Sequence, residues 1–354
     1  MTGGAVIIPA RDEGNALGDT LHSLSAQSVR PDRIIVVVNN STDDTGAIAQ
    51  AYADLPGVPA TEVLIMPGVN RFKKAGALNY GIRHLTTAGR FPISITHLLV
   101  MDGDTDLDAR FIEYAKKVMD RDPVLGGVSA ACLGKQIKGK NAWQRILLLI
   151  QRIEYGRYAS GRVRRNVHTM SGAGSFYRVD ALAVLLNARP DVFEERDTNL
   201  VEDYETTLAL KARGWKVTTN QNCIAYTDLM PTMKMLIAQR VRWTRGTVDE
   251  WKRYGVTRET WLPILLMPLG IGVAIWSVLN VTMLTTHGEM NTHLLPIVFL
   301  FGLYRAYGAC HLGWRAIIFE ALLLPEIAFG LVYDYWLIKA ILVSFFSRRV
   351  STWS

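Results

Sequence analysis

The sequence predicts an α/β fold, with a largely parallel sheet covered on both faces by helices and an apolar region after it. Three observations carry this prediction. Short uninterrupted apolar runs alternate with helical patterns in the N-terminal part, which is typical of a parallel sheet buried on both sides. Each apolar run ends in polar residues. From Trp261 onward, long apolar stretches replace the mixed and charged sequence that precedes them.

The positions of the first strands and helices follow from these patterns. Uninterrupted apolar strands are predicted at residues 5–10, 33–39 and 97–101. Helical patterns lie between them, at residues 15–27, 44–53 and 74–88. The strands end in the polar segments Arg11–Glu13, Asn39–Ser41 and Asp102–Asp104. Because ligands of such sheets bind at the carboxyl ends of the strands, we expect these polar ends to converge on one crevice.

A further helical pattern covers residues 141–165. Its apolar residues include Ile146, Leu149 and Ile150, and a basic tail follows them from Arg157 onward. Such a helix either packs its apolar stripe against other protein elements or lies on a membrane surface with its basic residues at the headgroups.

The C-terminal part of the chain is predicted to be a membrane region. Residues 261–286 contain no charged side chain and are long enough to cross a bilayer, which needs about 20 residues. Residues 294–312 are a second predicted span, whereas residues 316–346 carry several charges and are predicted to be interfacial or a broken hairpin. We therefore divide the chain into a cytosolic domain, residues 1–256, and a membrane region, residues 257–354.

The distribution of charge predicts the topology of this region. The chain carries a formal net charge of +7, and 49% of its residues are hydrophobic. Basic residues flank the apolar segments at Lys252, Arg253, Arg258, Arg348 and Arg349. The loop 287–293 contains no Lys or Arg. Because basic flanks stay in the cytoplasm, we expect two crossings of the cell (inner) membrane, with both ends and the catalytic domain cytoplasmic.

Charge and cysteine content bear on the possible partners and on the cellular compartment. A basic chain can bind nucleic acid, but no nucleic-acid-binding motif is present, and we expect no nucleic-acid partner. The three cysteines share no disulfide or metal spacing, which fits a reducing compartment.

The segment "HLLVMDGDTDLD" places carboxylates at every second position after an apolar run, at Asp102, Asp104, Asp106 and Asp108. A calcium loop is one interpretation, since Glu113 falls where such a loop has its last ligand. The loop would need glycine where Leu107 stands, and the preceding run resembles a strand rather than a helix. The better interpretation is a strand that ends in an Asp-x-Asp pair, which suits a divalent cation that bridges a diphosphate.

Six motifs in a fixed order surround this pair, and they carry a family resemblance from Ala5 to Gly246. They read IIPARDEGN, VVNNSTDDT, FKKAGALNYG, MDGDT, VEDYETTLALKARGWKV and QRVRW. The chain resembles the inverting family 2 glycosyltransferases, in the branch of the cellulose, hyaluronan, chitin-oligosaccharide and poly-N-acetylglucosamine synthases. The resemblance implies a GT-A-like (Rossmann-like) mixed sheet flanked by helices, with C-terminal transmembrane or interfacial helices.

The resemblance also implies roles for individual residues. The nucleotide-sugar would be bound by Pro9, Arg11, Asp12, Glu13, Asn39, Asp43, Lys74 and Asp102. Asp104, with Asp102, would hold Mg²⁺ or Mn²⁺. Asp203 would be the general base, with Glu202 beside it in the catalytic motif. The diphosphate and the acceptor would be bound by Gln239, Arg240, Arg242 and Trp243. The second-strand motif departs from the family, because Val38 and Asn39 stand where two aspartates are common, although an asparagine amide still pairs with a uracil edge.

The chemistry of sugar transfer makes these residue types sensible in themselves. A departing diphosphate needs a cation and an arginine to stabilise its charge, and an acceptor hydroxyl needs a carboxylate to take its proton. The alternative for Glu202 and Asp203 is that they favour the positive end of a helix dipole. Trp243 has two interpretations as well, as an apolar face for a sugar ring or as packing at an interface.

The sequence therefore predicts a membrane-associated, metal-dependent inverting glycosyltransferase. It would move a hexose or N-acetylhexosamine from a UDP-sugar to a hydroxyl of a carbohydrate, lipid-linked or protein acceptor. The sequence is also compatible with an oligomeric enzyme. The alternatives are a processive polysaccharide synthase of the same family, a nucleotidyltransferase with a related sheet, or an inactive membrane protein that binds nucleotide-sugars.

Overall fold

The computed structural model describes residues 4–135, 141–162, 166–288, 295–308, 310 and 313–346. Within these residues the chain forms two compact units. The first is built from Met1–Lys135 and Arg162–Asp228, and the second from Gln136–Gly161 and Leu229–Ser351. The predicted domain boundary between residues 256 and 257 stays a prediction.

The first unit contains an eight-stranded mixed sheet. Its strands are β1 (Ala5–Ala10), β2 (Arg33–Val38), β3 (Ala60–Ile65), β4 (His97–Met101), β5 (Asp106–Leu107), β6 (Leu125–Gly134), β7 (Gly174–Arg178) and β8 (Lys216–Thr227). The strand order is β3-β2-β1-β4-β7-β6-β8-β5. Strands β3, β2, β1 and β4 are parallel, and β7 runs antiparallel between β4 and β6. The three predicted strands are confirmed as β1, β2 and β4.

Helices cover both faces of this sheet. They are α1 (Leu17–Ser25), α2 (Thr45–Ala53), α3 (Lys73–Leu85), α4 (Phe111–Arg121), α6 (Val179–Ala188) and α7 (Glu202–Lys211). Alternate strand residues belong to opposite cores: Ile7 and Val37 face one core, and Val6 and Ile8 face the other. Because both faces are buried, the strands read as uninterrupted apolar runs.

Helix α3 lies close to the sheet because Gly81 has no side chain. A Cβ atom at Gly81 would lie 3.0 Å from Ile7 Cγ2 and 3.1 Å from Val37 Cγ2. The absence of a side chain at Gly81 thus lets α3 pack directly against β1 and β2.

The second unit is helical. It contains most of α5 (Ala142–Arg162) and all of α8 (Met233–Tyr254), α9 (Trp261–His287), α10 (Leu295–Gly308), α11 (Trp314–Ala321) and α12 (Leu324–Phe346). Leu147 and Ile150 of α5 pack with Leu236 of α8. A polar contact ties α8 to α12, since Lys252 Nζ donates to the carbonyl oxygen of Ser344 at 2.7 Å.

The predicted membrane region is helical, but the predicted crossings are not supported. Segment 261–286 lies in α9, several of whose side chains are outside the described residues, and segment 294–312 contains α10. Helix α10 has 14 residues, fewer than the roughly 20 that a span needs. Segment 316–346 is divided between α11 and α12. In the part of the chain that the structure describes, no helix is both long and apolar enough to cross a membrane.

Candidate active site

The polar segments after β1 and β2 are bound to each other. Asp12 adopts a left-handed backbone conformation with φ 55°, and its Oδ1 accepts from the backbone N–H of Thr42 at 2.7 Å. The backbone N–H of Gly14 donates to Asp43 Oδ2 at 2.9 Å. The Thr45 hydroxyl and this N–H lower the pKa of Asp43. The polar segments after β1 and β2 therefore lie together, as expected for two of the three strand ends predicted to converge.

The other residues predicted to bind the nucleotide lie on the same edge. Pro9 is in β1, and the Arg11 guanidinium lies 3.7 Å from Asp12 Oδ2. Asn39 follows β2 and is buried, and its backbone N–H donates to the carbonyl of Ala10 at 2.9 Å. The side-chain oxygen of Asn39 is buried and has no hydrogen-bond partner among the described residues.

The run of four aspartates does not form one site. Asp106 is in β5, where its Oδ2 lies 3.0 Å from Lys135 Nζ. Asp108 precedes α4, and its Oδ1 accepts from the backbone N–H of Arg110 at 3.1 Å. Only Asp102 and Asp104 remain at the end of β4, which excludes the calcium-loop interpretation.

Carboxylates crowd together at this strand end. Burial, with the neighbouring Asp104 and Asp102, raises the pKa of Glu13 to about 8. Burial, with Asp102 and Asp228, raises the pKa of Asp104 to about 6. The approach of Glu13 depends on Gly103, where a Cβ atom would lie 3.1 Å from Glu13 Cγ. Like charges repel here, and a cation would relieve the repulsion.

The donor set at this strand end suits a hard divalent cation. Oxygen ligands are those that Mg²⁺ and Mn²⁺ prefer, and Mg²⁺ usually keeps waters and binds one or two carboxylates with substrate phosphates. Among the described residues, no group of three or more His, Cys, Asp or Glu side chains is arranged to hold a metal. Asp104 and Asp102 would therefore hold a cation only together with non-protein ligands.

Lys74 of α3 contacts both the Asp-x-Asp segment after β4 and the catalytic motif at the start of α7. Its Nζ lies 2.6 Å from Asp102 Oδ1 and 3.1 Å from Glu202 Oε1, and it donates to the carbonyl oxygen of Gly172 at 3.1 Å. Burial by itself lowers the pKa of Lys74, but the carboxylates of Asp102 and Glu202 outweigh it and raise that pKa. The ammonium is thus charged and fully engaged by protein groups.

Asp203, at the start of α7, is held by backbone N–H groups. Its Oδ2 accepts from Gly172 at 2.9 Å and its Oδ1 from Tyr204 at 2.7 Å. Burial, with the neighbouring Glu202, raises the pKa of Asp203 to about 6. A Cβ atom at Gly172 would lie 2.8 Å from Lys74 Nζ and 3.2 Å from Asp203 Oδ2, so a side chain at this position would displace the Lys74 ammonium.

Two supporting contacts were missed by the sequence analysis. Asn79 of α3 is buried and holds Phe193 by both backbone groups, since its Nδ2 donates to the carbonyl at 2.6 Å and its Oδ1 accepts from the N–H at 3.0 Å. Glu205 is fully buried and pairs with Arg189 at 2.7 Å. The first contact holds the chain at Phe193, before Asp203, and the second joins Arg189 to Glu205, two residues after Asp203. The asparagine inside a helix was the available signal, because asparagine is a weak helix former.

The predicted diphosphate and acceptor residues belong to the second unit, on α8. Arg240 is buried, lies 2.8 Å from Glu154 Oε2, and stacks over Trp243 with 4.6 Å from the guanidinium carbon to the ring centre. Gln239, Arg242 and Trp243 are partly exposed. Arg240 is therefore committed to contacts within its own unit, and the roles of the other three stay predictions.

Comparisons with known proteins bear on this geometry. The chain matches the family model described as "Glycosyltransferase like family 2" over residues 3–246. Poly-β-1,6-N-acetyl-D-glucosamine synthases of Staphylococcus aureus and Staphylococcus epidermidis are 24% identical over 252 residues, which is 70% of this chain and 55% of each relative. The chain thus spans about half the length of these curated relatives.

One solved structure is similar over nearly the whole chain. It is a mannosyltransferase from Pyrobaculum calidifontis in complex with GDP-Man and Mn²⁺, with a TM-score of 0.64 and 18% sequence identity. The similarity covers 98% of this chain and 87% of the mannosyltransferase chain. At this identity, it shows that the two proteins share a fold.

Replacing Lys74 by methionine should strongly destabilise the first unit. The change would leave Asp102 and Glu202 without their counter-ion, and removing one partner of a buried pair costs about 3–5 kcal/mol. Lys117→Met is the matched control, because Lys117 forms an exposed pair with Glu113 at 2.6 Å. An exposed pair contributes about 1 kcal/mol or less. Urea unfolding of both variants measures the difference, and equal small losses would contradict a central role for Lys74.

Proposed function

The chain belongs to the glycosyltransferase family 2-like proteins, and from this premise we propose that it transfers a hexose or N-acetylhexosamine from a UDP-sugar to an acceptor hydroxyl with inversion. The observation that carries the proposal is the Asp203 carboxylate, fixed by Gly172 and set beside the Lys74–Asp102 pair. The hydrogen bond from Gly172 to Asp203 and the ion pair of Lys74 with Asp102 support the assignment of Asp203 as the base beside the Asp-x-Asp segment.

The donor assignment rests on the strand ends. Asn39 offers an unpartnered amide oxygen to a nucleobase, and the loops of Asp12 and Asp43 form the adjacent wall. The synthases that the chain resembles are named for an N-acetylglucosamine polymer. A uridine nucleotide with an N-acetylhexosamine is therefore the donor we favour, and GDP-mannose is the comparison suggested by the similar mannosyltransferase.

We propose that the activity requires Mg²⁺ or Mn²⁺ held by Asp104 and Asp102. A bound cation would supply electrostatic stabilisation of the departing diphosphate. The grouping of Glu13, Asp102 and Asp104 supports this assignment, because burial first, and the neighbouring carboxylates second, raise the pKa values of Glu13 and Asp104 and disfavour their ionised forms in the absence of a cation. Glu13 would be a neighbour that is protonated at neutral pH rather than a ligand.

The two adjacent acids would have different tasks. Glu202 is paired with Lys74 at 3.1 Å and would hold that ammonium in place. Asp203 is held only by neutral N–H donors, and its raised pKa makes it a better proton acceptor than an ordinary aspartate. Asp203 would take the proton of the acceptor hydroxyl as that oxygen attacks the anomeric carbon, so a single base suffices for inversion.

The acceptor and the number of transfers define two versions of this activity. We favour transfer of one sugar or a few to a carbohydrate, lipid-linked or protein acceptor. A processive polysaccharide synthase is the alternative, because the Gln239–Trp243 motif is present and the resembled synthases make polymers. An inactive nucleotide-sugar-binding protein is less consistent with the site, because Asp203, Asp104 and Arg242 are all present.

We also propose that the second unit associates with the cell (inner) membrane from the cytoplasmic side. Its helices α9 and α10 expose apolar side chains, including Leu265, Leu266, Leu279, Phe299 and Leu303. Large exposed apolar patches mark protein or membrane interaction sites. Basic residues before α9 favour the cytoplasmic face.

The first test is to identify the donor by mass spectrometry of products. Detergent-solubilised protein is incubated with Mn²⁺, cell-derived acceptors, a panel of UDP-sugars and GDP-mannose. We expect one UDP-sugar to be transferred. Asp203→Asn should reduce the rate at least about a hundredfold, which is within the usual contribution of a general base. Chelation of the metal should also reduce the rate strongly, because the departing diphosphate would lose its counter-charge.

Asp120→Asn is the matched control, because Asp120 is an exposed helix residue outside the site and should keep full activity. The mass of the product distinguishes single transfer from a polymer. Nucleotide binding without turnover of any UDP-sugar would contradict the proposed donor and reaction.

The pH dependence should report the base. A carboxylate with a pKa of about 6 is protonated below that pH and cannot accept a proton. At saturating Mn²⁺, kcat/KM should therefore fall about tenfold per pH unit below pH ~6. A profile measured between acid and neutral pH that stays flat would show that Asp203 is not the base, or that its pKa is not raised.

A further inference from the structure

The loop before β7 is held at three successive backbone N–H groups, each of which donates to a side chain of β6 or α7. The bonds run from Met170 to Thr207 Oγ1, from Ser171 to Ser129 Oγ and from Gly172 to Asp203 Oδ2, each at 2.9 Å. Backbone donors buried in a fold need such partners where no neighbouring strand supplies them. The last of the three bonds is the one that holds the candidate base.

Thr207 lies one helical turn after Asp203 on α7 and joins that helix to the loop. Its side chain is fully buried, and its hydroxyl also donates to the carbonyl oxygen of Asp203 at 2.7 Å. A hydroxyl has one donor and two acceptor lone pairs, so this group can bond both segments at once. The bond within α7 is an ordinary one for threonine. The bond to Met170 spans 37 positions of the chain and therefore ties the loop to the turn of helix that carries the base.

We propose that Thr207 is a positioning residue for the sugar transfer, and that by holding Met170 it keeps the N–H of Gly172 on the Asp203 carboxylate. The side chain is suited to this task, because a β-branched residue in a helix has few rotamers and presents its hydroxyl in a fixed direction. Without the hydroxyl, the buried N–H of Met170 would lose its partner, and the loop would shift to find another. The inference rests on the proposed role of Asp203 as the base and deepens it.

Thr206 supplies a matched control, because it stands beside Thr207 on the same helix and is also fully buried. Its hydroxyl has no hydrogen-bond partner within the part of the chain that the structure describes. Thr206→Val and Thr207→Val therefore make the same chemical change, but only the second removes a hydroxyl that bonds the loop. Thr207→Ser keeps the hydroxyl and should preserve the contact.

The first measurement is hydrogen exchange of the full chain, resolved to single amides and made without substrate. Thr207→Val should speed exchange at both Met170 and Gly172 about tenfold relative to Thr206→Val, the factor that one hydrogen bond contributes. Thr207→Ser should keep most of the protection. Faster exchange at Met170 alone would show that the two N–H groups are not coupled, and it would overturn the proposal, as would equal exchange in the two valine variants.

The second measurement is the pH dependence of sugar transfer. The N–H of Gly172 lowers the pKa of Asp203, so its loss should let that pKa rise further. Thr207→Val should therefore lower kcat about tenfold and move the acid fall of kcat/KM to higher pH. The other groups that act on Asp203 are Glu202, Lys74 and Tyr177, and none of them is changed.

The position of this fall separates positioning from a general loss of structure. A variant that is only less well folded would have less active enzyme, but its acid fall would stay where the wild type has it. An unmoved acid fall in Thr207→Val, or an equal movement in Thr206→Val, would overturn the proposal. No transfer by the wild type would contradict the proposed function instead, and hydrogen exchange alone would then decide the inference.

Thr207→Ala covers the case in which the valine variant does not fold. It also lacks the hydroxyl, but it leaves room for a water molecule beside the N–H of Met170. We expect faster exchange at Gly172 and the same movement of the acid fall. Wild-type behaviour of Thr207→Ala in both measurements would overturn the proposal.

Discussion

The buried ammonium of Lys74 is the interaction on which the arrangement of the site depends. It contacts the segment after β4 through Asp102, the start of α7 through Glu202, and the loop before β7 through the carbonyl of Gly172. Burial of a lone ammonium would favour its neutral form, but two carboxylates within hydrogen-bonding distance reverse that preference. Three segments that are distant in the sequence are thus fixed to one charge.

Gly172 connects Lys74 to the candidate base, Asp203, by two hydrogen bonds. Its carbonyl accepts from Lys74, and its N–H donates to Asp203, so one residue couples the charged pair to the carboxylate. The neighbouring Glu202 is bound to the ammonium, whereas the Asp203 carboxylate accepts from two backbone N–H groups, and burial with Glu202 raises its pKa although the Lys74 charge acts against this. Two adjacent acids of similar chemistry are separated into a positioning group and a proton acceptor by their surroundings.

The sequence predicted those parts of the fold and site that depend on local patterns. The apolar runs located β1, β2 and β4, and the polar residues after them located the site edge, because strand ends of a parallel sheet meet at one side. The antiparallel β7 between β4 and β6 was not predicted, since its pairing depends on residues far away in the chain. The Lys74–Glu202 pair was missed for the same reason, and the role of Lys74 at the nucleotide stays a prediction. The two hydrogen bonds between the Asn79 side chain and the Phe193 backbone were not predicted either, because these residues are far apart in the sequence. Hydropathy predicted membrane crossings that the described helices do not support.

The central claim is that a single carboxylate, Asp203, activates the acceptor for direct displacement at the anomeric carbon. The stereochemistry of the product tests this most directly. Proton NMR of the purified product, recorded after transfer from a UDP-sugar of known anomeric configuration, reports the configuration of the new bond. The account predicts inversion, since one displacement reverses the anomeric carbon. Retention would contradict it, because retention requires a second displacement or attack from the same face as the leaving group, and Asp203 would then have another role.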